Sequence, residues 1–212
     1  YRKRIGGGIE HKLVEAPGDL QIWPTDWSSD GKYLIYTTGR RVSGTNLDIH
    51  VLPLDGGDAF PYVATSAEER GGRVSPNGKW LAYESGTSSG WDVYVIPFTP
   101  DRGVADGNGG STAPPEEKWQ ISVGGGSAPC WNSDGKELFY ISADAELIAV
   151  AVETEGDHFV AGTTTKLFQT AFEPGKSFDV SPDGLEFVFN EVSVNVDTPI
   201  SLIVNWNEGL DP

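Results

Sequence analysis

The segment Gly86-Thr87-Ser88-Ser89-Gly90 matches G-x-S-x-G, the spacing that raises a serine nucleophile for acyl transfer. That chemistry needs a sharp turn from a strand into a helix, with backbone N–H groups facing the reacting carbonyl. Here Tyr83 ends one extended run and Trp91 begins another, so a hairpin loop is expected instead. The histidines are His11, His50 and His158, too dispersed for metal-ligand spacing. His50 falls in an alternating pattern and is expected on a strand face. Cys130 is the single cysteine, which excludes an intrachain disulfide and a multi-cysteine metal site. Between Pro129 and Trp131 it is expected to be a buried, inert thiol. Gly6-Gly7-Gly8 and Gly124-Gly125-Gly126 lack a following Lys-Ser/Thr and read as turns, not phosphate cradles. Asp101, Asp106 and Asn108 offer calcium-type oxygens but lack the regular acidic spacing and closing Glu of a calcium loop. Paired carboxylates remain, because Asp and Glu are plentiful, but sequence does not say which two would face each other across a cleft. No catalytic, cofactor-binding or metal-binding residue is assigned, and no cofactor is expected.

The elements that would position such groups are far more explicit. One phrase recurs four times: Ser29-Asp30-Gly31-Lys32, Ser75-Pro76-Asn77-Gly78-Lys79, Ser133-Asp134-Gly135-Lys136 and Ser181-Pro182-Asp183-Gly184. Its glycines are spaced by 47, 57 and 49 residues. Each copy leads into an apolar, aromatic run: Tyr33–Tyr36, Trp80–Tyr83, Leu138–Tyr140 and Phe187–Phe189. Asp/Asn-Gly between two extended segments makes a hairpin, with glycine supplying the positive φ. Asp30, Asp134 and Asp183 are therefore expected to build turns. A further strand follows in each unit, at Leu47–Leu52, Trp91–Ile96, Leu147–Val152 and Ile200–Trp206. Weaker outer strands are expected at Phe60–Ala64, Lys118–Ser122 and Lys166–Gln169, short and polar as edges that face water. Equivalent positions should bury Tyr36, Tyr83, Tyr140 and Phe189.

A repeat of this period made of strands predicts an all-β protein, a β-propeller of four-stranded antiparallel blades. The repeats run over approximately 20–66, 67–122, 123–170 and 171–206, with strands of a preceding blade in 1–15, at residues 1–4 and 11–15. Residues 99–117, rich in Gly and Pro, are expected to be a flexible insertion. The four units and end strands can close a small ring, or form part of a larger propeller. Without Met at position 1 or elsewhere, the chain reads as a mature domain or an excised fragment.

The formal charge of -16 is uneven. Residues 1–102 hold 11 Lys/Arg against 13 Asp/Glu, and residues 103–212 hold 4 against 18. Nucleic acid needs a basic footprint that this chain lacks, and an anionic membrane surface is disfavoured for the same reason. The basic start Tyr1-Arg2-Lys3-Arg4 reads as a short solvated edge. No run approaches 18 apolar residues, so no membrane-inserted helix is expected. A salty or extracytoplasmic setting, or a cationic partner, suits this charge.

The units resemble the WD40-like (PD40) repeats of TolB-type β-propellers with their Ser-Pro-Asp-Gly-Lys turn. Trp23-Pro24-Thr25-Asp26-Trp27-Ser28, Asp48–Leu54, Val93–Phe98, Lys118–Ser122, Gly124–Gly126, Gly135–Tyr140 and the tail Pro199–Leu210 are similar to the C-terminal propeller region of acidobacterial kinase-associated proteins. The resemblance covers essentially the whole chain and departs from it at Val104–Pro115. It implies more repeats upstream and a sensing or scaffolding role beside a kinase. The expected setting is periplasmic or otherwise extracytoplasmic, with the cytoplasm as the alternative. No kinase segment is present: there is no phosphate loop followed by Lys and no Asp-Phe-Gly. The function expected is non-catalytic binding of a protein, a peptide or a small ligand such as a saccharide through strand-end loops. The alternative is a carbohydrate-active hydrolase or lyase with acidic groups at the axial mouth.

Overall fold

The repeated phrase builds the same turn four times. The computed structural model describes residues 1–3, 9–16, 18–40, 47–87, 90–100, 117–156, 158–170, 177–189 and 202–203. Within it Gly31, Gly78, Gly135 and Gly184 have φ between 72° and 76°, which a side chain would strain. Their N–H groups donate to the carbonyls of Ser28, Ser75, Asn132 and Ser181. Asp30 Oδ1 accepts from the Ser28 hydroxyl and the Lys32 N–H. Asn77, Asp134 and Asp183 likewise accept the N–H two residues on. These carboxylates and the amide serve the turn, as expected. The capping position is Ser28, Ser75, Asn132 and Ser181, so in the first and third copies it lies one residue before the serine of the repeated phrase. Ser29 and Ser133 point sideways instead, donating to the carbonyls of Pro76 and Pro182 and so joining neighbouring turns.

Around these turns the strands form four antiparallel meanders. The first sheet holds β1 (Leu20–Trp27), β2 (Tyr33–Arg40), β3 (Asp48–Pro53) and β4 (Phe60–Val63). The second holds β5 (Glu69–Val74), β6 (Trp80–Thr87), β7 (Gly90–Pro97) and β8 (Trp119–Gln120). The third holds β9 (Gly126–Trp131), β10 (Glu137–Ser142), β11 (Glu146–Glu155) and β12 (His158–Gln169). The fourth holds β13 (Phe178–Val180), β14 (Phe187–Phe189) and β15 (Leu202–Ile203). No helix of four or more residues occurs among the described residues. This is the blade arrangement of a β-propeller.

Strand alternation decides the packing. On β6, Trp80 and Ala82 face the third sheet while Leu81 and Tyr83 face the first. On β10, Leu138 and Tyr140 face the second sheet while Phe139 and Ile141 face the fourth. Both strands are buried on both faces, which is why they read as continuous apolar runs. Tyr36, Tyr83, Tyr140 and Phe189 are all at most 4% exposed. Burying one such side chain contributes roughly 1.5–3 kcal/mol by transfer alone.

Three segments differ from expectation. The outer strand β12 begins at His158, eight residues before the expected start. Of its extra residues 158–165, those from 160 on are all exposed, so they carry no apolar alternation to read. Residues 1–4 and 11–15 were expected to pair as two strands; their described residues make one isolated antiparallel bridge, Arg2 to His11. Most of the expected insertion, residues 101–116, and most of the tail resemblance at Pro199–Leu210 lie outside the described residues.

Candidate functional site: the channel between the innermost strands

The first strand of each sheet packs against the first strand of the next, β1 on β5, β5 on β9 and β9 on β13. Two residues before each capping Ser/Asn, these strands carry Asp26, Arg73, Cys130 and Asp179. Repeat equivalence thus brings four side chains of three chemical kinds to one channel. A bulge precedes each of the first three. Pairing shifts register between Pro24 and Asp26 and between Arg70 and Arg73, and on β9 it shifts opposite Phe139 and Ile141. Gly71 and Ala128 take positive φ at these bulges, 68° and 54°. A bulge frees a backbone N–H from the ladder and re-aims the next side chains. The freed N–H groups are caught by the preceding sheet. Gly71 donates to Thr37 Oγ1 at 3.3 Å, and Ala128 donates to Glu84 Oε1 at 3.0 Å. Thr37 and Glu84 are themselves equivalent, each six residues after its turn glycine.

The channel holds two cavities that share Arg73. One, about 390 Å³, is lined by residues that include Trp23, Arg73, Glu84, Ser177 and Phe178. The other, about 290 Å³, is lined by residues that include Asp26, Trp27, Arg73, Cys130 and Asp179. Trp23 and Trp27 are 42% and 48% exposed, large apolar surfaces left open on the innermost strand. A third cavity of about 490 Å³ lies at the rim beside Asp30, whose carboxylate is already committed to its turn.

Asp26 is tightly held. Its Oδ1 accepts the Trp27 N–H at 2.8 Å and its Oδ2 accepts the Val74 N–H at 2.7 Å, linking the first sheet to the second. Burial raises its pKa, against the pull of these two N–H groups and of Arg73, and Asp179 adds to the rise. The Cys130 thiol lies 3.6 Å from Asp179 Oδ1. Burial, then the Asp179 charge, push its pKa up to about 12, so it stays protonated and is a poor nucleophile. Asp179 Oδ1 also accepts the Val180 N–H. Glu84 pairs with Arg70 at 2.9 Å, and that guanidinium lies 3.8 Å above the centre of the Trp91 ring. Arg73 has no ion pair or side-chain hydrogen bond among the described residues. The channel therefore offers a guanidinium, three carboxylates, a neutral thiol and two indole surfaces.

Apart from Cys130, the residues singled out for chemistry in the sequence lie elsewhere. His50 stacks on Tyr36 at 5.4 Å and lies 3.4 Å from Thr38 Oγ1; burial lowers its pKa. His11 and His158 are exposed and line neither channel cavity. Ser88 and Ser89 lie outside the described residues, but Thr87 pairs with Gly90 as the last rung of a β hairpin. A strand, not a helix, follows the segment. Gly124 and Gly125, with positive φ, connect β8 to β9. Gly6–Gly8, Asp101, Asp106 and Asn108 lie outside the described residues. Asp26, Arg73 and Asp179 were not singled out. The readable signal was periodic: at one repeat position, inside the first strand of each sheet, three of four units carry a charge. Among the described residues no three His, Cys, Asp or Glu side chains group as a metal site, and no helix is long and apolar enough to cross a membrane.

No protein-family model matches the chain, and no curated protein matches it. Among solved structures, TolB from Acinetobacter baumannii is similar with a TM-score of 0.50 and 20% identity, over 80% of this chain and 37% of that one. A candidate 6-phosphogluconolactonase from Bacteroides uniformis gives a TM-score of 0.50 and 18% identity, over 80% of this chain and 47% of that one. The chain spans less than half the length of either. Likeness at this identity establishes the fold, a TolB-like β-propeller.

Proposed function

We propose that this chain is a recognition propeller without catalysis of its own, binding a peptide, a partner protein or a small ligand through the axial channel. The observation that carries this reading is the state of the channel carboxylates and thiol. Asp26 has both oxygens taken by backbone N–H groups, Glu84 is paired, and the Cys130 thiol stays protonated. These groups hold sheets together, while the half-exposed Trp23 and Trp27 give a ligand apolar surface to cover. The four repeats form part of a larger ring, and the chain serves as a sensor or scaffold in an extracytoplasmic setting. Strong negative charge suits a cationic protein partner.

One observation favours hydrolysis or lyase chemistry instead. Asp26, its pKa raised by burial, faces the same cavity as Asp179, and two carboxyl groups lining one cavity are the side chains that glycan cleavage uses. The two readings are tested together. The purified chain and its Trp27→Ala variant serve as bait for proteins of the source organism, and the chain is assayed on glycans, lactones and peptides. Capture that Trp27→Ala abolishes, without turnover, supports recognition. Turnover that Asp26→Asn abolishes overturns it in favour of the enzyme reading.

A further inference from the structure

We infer that the larger channel cavity takes a small carboxylate built on a six-membered ring, with Arg73 holding the carboxylate and Trp23 covering one ring face. This rests on the channel being a recognition site. The charge balance on the cavity wall decides the ligand's sign. Glu84 is matched by Arg70 at 2.9 Å and by the Ala128 N–H at 3.0 Å, so it does not call for a cation. The carboxylate of Asp26 is fixed by Trp27 and Val74 N–H groups and borders the other cavity, not this one. Arg73 alone among the charged groups lining this cavity makes no ion pair or side-chain hydrogen bond among the described residues, and it acts on Asp26 only at longer range. A guanidinium is a planar fork of donors whose spacing matches the two oxygens of a carboxylate. Trp23 is 42% exposed on the same wall, a flat apolar surface for a ring's C–H or π face. Ser177 supplies a hydroxyl for a further polar group on the ring. A volume of about 390 Å³ suits a single ring and excludes a folded domain.

The test compares acids with their neutral counterparts. D-glucuronate and D-glucose form one pair, benzoate and benzamide the other. Binding is read by calorimetry and, for the two sugars, by quenching of indole fluorescence. At least one acid should bind saturably and exceed its neutral twin by about tenfold or more, the expected worth of a charge-assisted contact. Arg73→Gln should remove that preference and Arg73→Lys keep part of it, both with unchanged far-ultraviolet dichroism. Trp23→Ala should weaken acid and neutral twin alike. If Arg73→Gln fails to fold, Arg73→Lys and the acid-to-neutral ratio of the unaltered chain decide the matter. Equal binding of acid and neutral twin overturns the inference, as does failure of both acids to bind. Protein capture that Trp27→Ala abolishes would then leave the recognition reading standing. Loss of both capture and small-ligand binding removes the two together.

Discussion

Replacing Glu84 by Ala tests whether the sheets are held together at the bulges. Glu84 is 7% exposed and makes two contacts of different worth. Its Oε1 is the acceptor for the Ala128 N–H, freed from the ladder by the bulge of β9. Removing an acceptor from a part-buried donor costs about 1–3 kcal/mol. Its pair with Arg70 is worth less, because Arg70 is 30% exposed and keeps its stack on Trp91. A pair of that exposure contributes about 0–1 kcal/mol. Glu84→Ala should therefore lose about 1–4 kcal/mol, the orphaned N–H dominating. At about 2–4 °C per kcal/mol for a chain of this size, the melting midpoint falls by roughly 2–16 °C. Glu84→Gln keeps an oxygen for Ala128 and should lose about 1 kcal/mol or less. Thr37→Ala removes the equivalent but longer contact to Gly71, at 3.3 Å, and should cost about 0.5–1.5 kcal/mol. The assay is urea unfolding followed by tryptophan fluorescence and far-ultraviolet dichroism, with an Arg70→Ala, Glu84→Ala cycle to separate the ion pair. Equal losses for Glu84→Ala and Glu84→Gln, or a Glu84→Ala loss below about 0.5 kcal/mol, would refute the bulge-capture argument.

Gly78→Ala meets open space and suffers only from its φ of 73°, about 1–2 kcal/mol. Gly184→Ala adds a Cβ 2.7 Å from Asn132 Nδ2, so it should cost more in the same urea titration; equal costs would contradict the turn packing. Cys130, 4% exposed with its thiol pKa near 12, should resist Ellman's reagent at pH 8 until the chain unfolds. Prompt native labelling would show that the channel opens to it. Glu69, 1% exposed, has its pKa raised by burial against the Thr65 N–H and hydroxyl, with Asp48 adding to the rise and Lys118 opposing it. Its folded pKa lies above the unfolded one, so the folded state binds more protons between the two. Stability relative to Glu69→Gln should therefore fall as pH rises through the unfolded and then the folded Glu69 pKa. A rise over that interval in paired thermal melts would reverse the assignment.

Turn chemistry and strand alternation were legible in the residues alone, because they are settled within a few positions. An Asp or Asn two residues after its cap and a following glycine make the same turn wherever they occur. Trp80–Tyr83 and Leu138–Ile141 showed burial on both faces as unbroken apolar runs. His50 and Cys130 were read correctly as a strand-face residue and a buried thiol. The outer half of β12 was illegible, because an exposed edge strand needs no pattern to be stable. The channel was also out of reach, for a different reason. Asp26, Arg73, Cys130 and Asp179 are tens of residues apart, and their meeting depends on the angle between sheets and on a bulge ahead of each of the first three. Neither is written in the residues that meet. The sequence by itself determined the turns, the strands and the repeat. Only the tertiary structure decided that Glu84 would be paired with Arg70 while Arg73 was left facing the channel, because pairing depends on distances that packing of whole sheets sets.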